Sequence, residues 1–126
     1  MILNPDSSKP IYVQIAEWLE TQILNESIKS NEKMYSQYQL AEMFNINPAT
    51  AAKGLNILAD EDILYKKRGL GMFVSENAQA TIVTKRKNNT LVKLVSELVL
   101  EAKNLNVSED ELISMIKSAK ERDDDE

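Results

Sequence analysis

A chain of 126 residues, 43% of them hydrophobic, has room for one domain with an appendage and for a core burying roughly two-thirds of its unfolded surface. Cysteine and histidine are both absent, which excludes a disulfide framework, thiolate or imidazole metal ligation, thiol nucleophiles and Ser-His triads. Fifteen basic against twenty acidic residues give a formal charge of -5, unfavourable by itself for a polyanion partner, but residues 123–126 are all acidic and basic clusters stand at 66–68 and 85–87.

The opening MILNPDSSKP has neither a basic nor an apolar targeting region. No later run approaches the ~18 apolar residues of a membrane span. The expectation is a soluble cytoplasmic protein. With three Gly and three Pro in the whole chain, helices should dominate.

Pro10 suits the first turn of a helix to about Glu26, in which Ile11, Tyr12, Ile15, Trp18, Leu19 and Ile23 recur at helical spacing. Ser36 and Gln39 form a capping-box pattern opening a short helix through Phe44, with Leu40, Met43 and Phe44 apolar. Asn45-Ile46-Asn47 is a polar turn around one apolar plug. Asn47 reads as an N-cap and Pro48 as the first residue of a third helix to about Asp60, with Leu55, Leu58 and Ala59 inward. Ile63-Leu64-Tyr65, the turn Arg68-Gly69-Leu70-Gly71 and Met72-Phe73-Val74 predict a β-hairpin. Three helices and a hairpin with a basic, glycine-bearing tip have the order of a winged helix-turn-helix domain.

Helical pattern resumes from about Ala78, weakened by Thr81-Ile82-Val83-Thr84 and Asn88-Asn89. In Leu91 to Leu105 nine of fifteen residues are apolar, and eight of them fill a stripe about 160° wide on a helix. Ser108 with Glu111 predicts a last helix carrying Leu112, Ile113, Met115, Ile116 and Ala119. Two such helices cannot close a core alone; they must pack on the first domain, on a second copy, or on both. The acidic end, 123–126, reads as a disordered tail.

Two segments carry candidate chemistry. A helix that reads DNA needs small polar groups at its N-terminus, where free N–H groups favour phosphate, and reaching side chains a turn further on. Asn47, Ala49, Thr50 and Lys53 meet that description, although an ordinary capped helical hairpin would also contain them. A wing against a duplex needs cations for phosphates and glycines for close approach. Lys66, Lys67, Arg68, Gly69, Leu70 and Gly71 supply both; taken alone they would equally suit a solvated turn, and their place after three helices favours the wing. Lys85-Arg86-Lys87 reads as a solvated face, with contact to the DNA backbone from the linking helix as its alternative, and Asp60-Glu61-Asp62 as an exposed helix end and not a metal site. Nothing calls for a cofactor or a metal, and no glycine-rich phosphate loop supports an enzyme.

Together, Pro10-Ile11-Tyr12-Val13-Gln14-Ile15, Ser36, Leu40-Ala41, Asn47-Pro48-Ala49-Thr50 and Arg68-Gly69-Leu70-Gly71-Met72-Phe73-Val74 resemble the GntR family of bacterial transcription regulators, in its short YtrA-type branch. The resemblance implies a mainly α fold with a small β-hairpin: a winged helix-turn-helix domain over 1–76, a two-helix dimerisation appendage over 77–122, and the tail. It implies that Ser36, Thr50, Lys53, Arg68, Gly69 and Gly71 face DNA, with helix 3 in the major groove and the wing near the minor groove. Where the family usually has Pro-Ser-x-Arg, this chain has Tyr35-Ser36-Gln37-Tyr38, so Tyr35, Gln37 and Tyr38 become candidate contacts in place of an arginine. Helix 3 holds no arginine, so a bidentate arginine to guanine, worth about 1–3 kcal/mol of discrimination, cannot come from it.

About fifty residues follow the wing, too few for the ligand-binding domain of larger members. A small-molecule effector is left open. The expected dimer interface is Leu91, Leu94, Val95, Leu98, Val99, Ala102, Leu105, Leu112, Ile113 and Ile116. The implied function is a homodimeric repressor on an inverted-repeat operator, in the setting of an ABC transporter operon. The acidic balance and arginine-free helix 3 keep one alternative, a winged-helix protein-interaction module.

Overall fold

The computed structural model describes residues 3–124. Its elements in chain order are α1 (Ile11–Leu24), α2 (Gln37–Phe44), α3 (Pro48–Asp60), β1 (Leu64–Lys67), β2 (Gly71–Val74), α4 (Ala78–Arg86), a π-helical turn (Lys87–Leu91), α5 (Val92–Asn104) and α6 (Glu109–Asp124). The fold is the expected mainly α winged helix-turn-helix with C-terminal helices. Two compact units divide between Thr84 and Lys85.

In the first unit, α1 begins one residue later than its sequence pattern, with Pro10 as its cap. It ends where Asn25 leaves the helix and Glu26 turns left-handed at φ 63°. The Gln14 side chain, buried against the preceding segment, accepts from the Asn4 N–H at 2.8 Å and donates to the carbonyls of Asn4 and Lys9 at 2.8 and 3.0 Å. This satisfies a buried amide and ties the segment to α1.

The core brings together Ile15, Leu19 and Ile23 of α1, Leu40 of α2, Ala51, Leu55 and Leu58 of α3, Leu64 and Val74 of the hairpin, and Ala78 and Ile82 of α4. α3 packs against α1, α2 and β1. The hairpin is antiparallel with Leu64 opposite Val74, Tyr65 opposite Phe73, Lys66 opposite Met72 and Lys67 opposite Gly71.

α4 corrects the boundary drawn at 76/77. Its β-branched residues weaken it by propensity, but Ala78 and Ile82 are fully buried in the first unit's core, and such burial outweighs a few tenths of a kcal/mol of propensity. The Gln79 amide also donates to the carbonyls of Ile23 and Leu24 at 3.1 and 3.4 Å, capping the C-terminus of α1. Lys85 and Arg86 are half-buried, so of the cluster expected to be solvated only Lys87 is exposed.

In the second unit, Asn89 donates its side-chain amide to the Lys85 carbonyl at 2.8 Å within the π turn. The Ser108 hydroxyl accepts from the Glu111 N–H at 3.1 Å, opening α6 as its capping pattern predicts. Glu109, Asp110 and Glu111 lie in the first turn of α6, matching the positive end of the helix dipole. The tail prediction is corrected in part: Asp123 and Asp124 continue α6, while residues 125 and 126 lie outside the described residues. No residue of α5 or α6 is buried.

Candidate nucleic-acid interface

The site is built on the turn between α2 and α3. Ser36 caps α2 reciprocally: its hydroxyl accepts from the Gln39 N–H at 3.1 Å, and the Gln39 side-chain oxygen Oε1 accepts from the Ser36 N–H at 2.8 Å. Asn45 ends α2 in the left-handed region at φ 54°. Ile46, half-buried, follows as the plug the sequence suggests. Asn47 then caps α3, its side-chain oxygen accepting from the Ala49 N–H at 2.8 Å, with Pro48 first in the helix. Neither helix has an acidic residue in its first turn, and residues 33–59 contain one acid, Glu42. Both positive helix ends are therefore free of competing carboxylates, as an anion-facing surface requires.

Asn47, Ala49 and Lys53 are exposed and Thr50 is half-buried along the first turns of α3, while Ala51, Gly54, Leu55 and Leu58 face inward. Asn56 is exposed on the outer face, three residues beyond Lys53 and seven beyond Ala49. The sequence reading missed it, though its i+3 and i+7 spacing was visible. An asparagine there has the donor and acceptor pair that matches an adenine edge. The Lys53 ammonium lies 5.6 Å from the centre of the Tyr12 ring, an anchor from α1.

Tyr38 is 70% exposed, and Gln37 is half-buried at the start of α2. Tyr35, also expected to face DNA, is half-buried: its ring stacks on Trp18 at 6.1 Å and packs against the core. Phe44 meets the other side of this cluster edge-on, 4.9 Å from Trp18. Tyr35 thus serves as a packing residue because burying an aromatic ring stabilises more than leaving it in water.

In the wing, Lys66, Lys67, Arg68, Gly69, Leu70 and Gly71 are all exposed. Leu70 N–H donates to the Lys67 carbonyl at 2.9 Å to close the turn, with Gly69 at φ 79°. Lys67 places its ammonium 4.5 Å from the Phe73 ring centre, and Tyr65 stacks on Phe73 at 5.9 Å. The described residues contain no cluster of three potential metal ligands. None of their helices is long and apolar enough to cross a membrane.

This geometry has counterparts among known proteins. The model of bacterial regulatory proteins of the gntR family matches residues 11–74. The HTH-type transcriptional repressor YtrA of Bacillus subtilis is 32% identical over 91% of this chain and 88% of its own length. A GntR family transcriptional regulator from Listeria monocytogenes superimposes with a TM-score of 0.74 at 26% identity, covering 90% of this chain and 97% of the other. The DNA-binding domain of AraR, solved in complex with operator ORX1, superimposes with a TM-score of 0.54 at 26% identity, covering 60% of this chain and 93% of that domain. The chain is therefore a DNA-binding transcription regulator and not an enzyme, and it belongs to the GntR family, in its YtrA-type branch.

Proposed function

We propose that the chain is a homodimeric repressor that occupies an inverted-repeat operator in the cytoplasm. In this reading Asn47, Ala49, Thr50, Lys53 and Asn56 meet base edges in the major groove. Ser36, Gln37 and Tyr38 meet the backbone, and residues 66–71 bind phosphates beside the minor groove. The second unit joins two copies so that both recognition helices reach successive major-groove faces, about 34 Å apart or a multiple of it. Control of an ABC transporter operon is the setting suggested by the likeness to YtrA-type regulators.

The observation that carries the dimer is the apolar surface of α5 and α6. Leu91, Leu94, Val95, Leu98, Val99, Leu105, Ile113 and Ile116 are 40–66% exposed in the single chain, and Ala102 and Leu112 are half-buried. Leu98, Leu112, Met115, Ile116 and Ala119 line an open groove of about 530 Å³. A soluble monomer rarely exposes so continuous an apolar surface. A second copy offers the same stripe, and self-complementary packing about a two-fold axis covers both.

Titration of labelled genomic duplexes at two salt concentrations, with light scattering on the same samples, tests the reading. The expected outcome is a dimer whose affinity depends on sequence and whose log affinity falls linearly with log salt. Binding without sequence or salt dependence would favour a protein-interaction module, which the charge of -5 and the arginine-free α3 would then explain.

A further inference from the structure

The wing has a third strand that the hairpin pattern does not announce. Met34 N–H donates to the Met72 carbonyl at 2.8 Å, Val74 N–H to the Glu32 carbonyl at 2.9 Å, and Asn31 N–H to the Val74 carbonyl at 2.7 Å. Lys33 is thereby paired antiparallel with Phe73. The bonds flank this pair instead of joining its members, the arrangement that brings facing side chains closest. Because side chains alternate along a strand, Lys33, Phe73 and Tyr65 share one face of the sheet, with Gly71 and Lys67 two residues along it.

On that face Lys33 leans over Gly71: its Cε and Nζ lie 3.2 and 3.9 Å from where a Cβ on Gly71 would stand. Gly71 is also at φ 108°, a conformation L side chains rarely adopt. Directly across from Gly71 is Lys67. Two exposed lysines therefore flank Gly71, with the Lys33 stem lying over it, and among the described residues neither is in an ion pair. Like charges so placed repel one another, and an anion between them would reverse that cost.

We propose that Lys33 and Lys67 together hold one backbone phosphate of duplex DNA beside Gly71, on this face of the wing. This assignment rests on the operator-binding reading and extends the contact surface from the wing tip to the segment preceding α2. Gly71 makes room for the Lys33 stem, the paired backbone of residues 32–34 holds Lys33 in place, and Phe73 supports the Lys67 ammonium at 4.5 Å. A phosphate contact of this kind is indifferent to sequence.

The test uses the full chain and a fluorescein-labelled duplex of random sequence over a salt series, with thermal melting of each variant. Lys33→Met keeps the aliphatic stem against Gly71 and removes the charge. It should weaken binding several-fold and make the slope of log affinity against log salt shallower by about 0.9, with an unchanged melting temperature. Lys33→Arg should bind as wild type does. Lys33→Met combined with Lys67→Met should lose less than the product of the single losses, since both serve one phosphate. Wild-type affinity and slope in Lys33→Met, while Arg68→Ala weakens binding, would overturn the proposal and leave the operator reading intact. Equal losses in Lys33→Met and Lys33→Arg with lowered melting temperatures would make Lys33 a purely structural residue and also overturn it. A wild-type chain that binds no duplex would remove both readings.

Discussion

Gly54 of α3 lies against the backbone of Tyr12 in α1: a Cβ built on Gly54 would stand 2.9 Å from the Tyr12 carbonyl oxygen and 3.0 Å from Cγ2 of Ile15. The two helices approach so closely because this position has no side chain. The contact sets the depth of α3 on α1, and with it the seat of Lys53 over the Tyr12 ring. Gly54→Ala gains about 1 kcal/mol of helix propensity, but forcing a methyl against backbone costs roughly 1–3 kcal/mol. The expected net outcome is a lower melting temperature and weaker DNA binding. A melting temperature at or above wild type would show that α1 and α3 have slack.

The outer face of α3 should set base preference. Thr50→Ala, Lys53→Ala and Asn56→Ala each remove a polar group along it without touching the core, so selection from a random duplex library should return altered preferences at distinct positions. The expected size is about 1–3 kcal/mol per affected base pair. Unchanged preferences in all three would move the reading element to Gln37 and Tyr38.

Arg68 sits at an exposed tip beside Gly69, with no built surface for base-edge contact. Arg68→Ala should weaken binding to operator and to mismatched duplex by similar factors and make the salt slope shallower by about 0.9. A loss confined to the operator would show that Arg68 senses groove shape or bases.

Leu98, 40% exposed on α5 and lining the groove beside Leu112 and Met115, lies within the proposed dimer contact. Leu98→Glu would bury an unpaired carboxylate there, at a cost of several kcal/mol. Light scattering should find a monomer, circular dichroism a folded winged unit, and operator affinity should fall toward that of a single half-site. A variant that stays dimeric, or binds the full operator as well as wild type does, would move the dimer contact elsewhere.

Local rules were sufficient wherever one short stretch of chain contained all the parties to an interaction. Ser36 with Gln39, Asn47 with Pro48, and Ser108 with Glu111 announce helix starts because a cap and the N–H group it satisfies lie within three residues. The hairpin and its exposed basic tip were legible for the same reason. Tertiary packing decided everything that depended on partners distant in sequence. Tyr35 stands next to the Ser36 cap, yet its ring is half-buried against Trp18 of α1. Ile82 has poor helix propensity, yet its burial makes α4 part of the winged unit. Lys33 is a surface lysine by every local pattern. It becomes part of the wing because the backbone of residues 31–34 finds its hydrogen-bond partners on β2, some forty residues further along the chain. Backbone N–H and C=O groups must be paired wherever water is excluded, and the chain that pairs them is chosen by the fold as a whole.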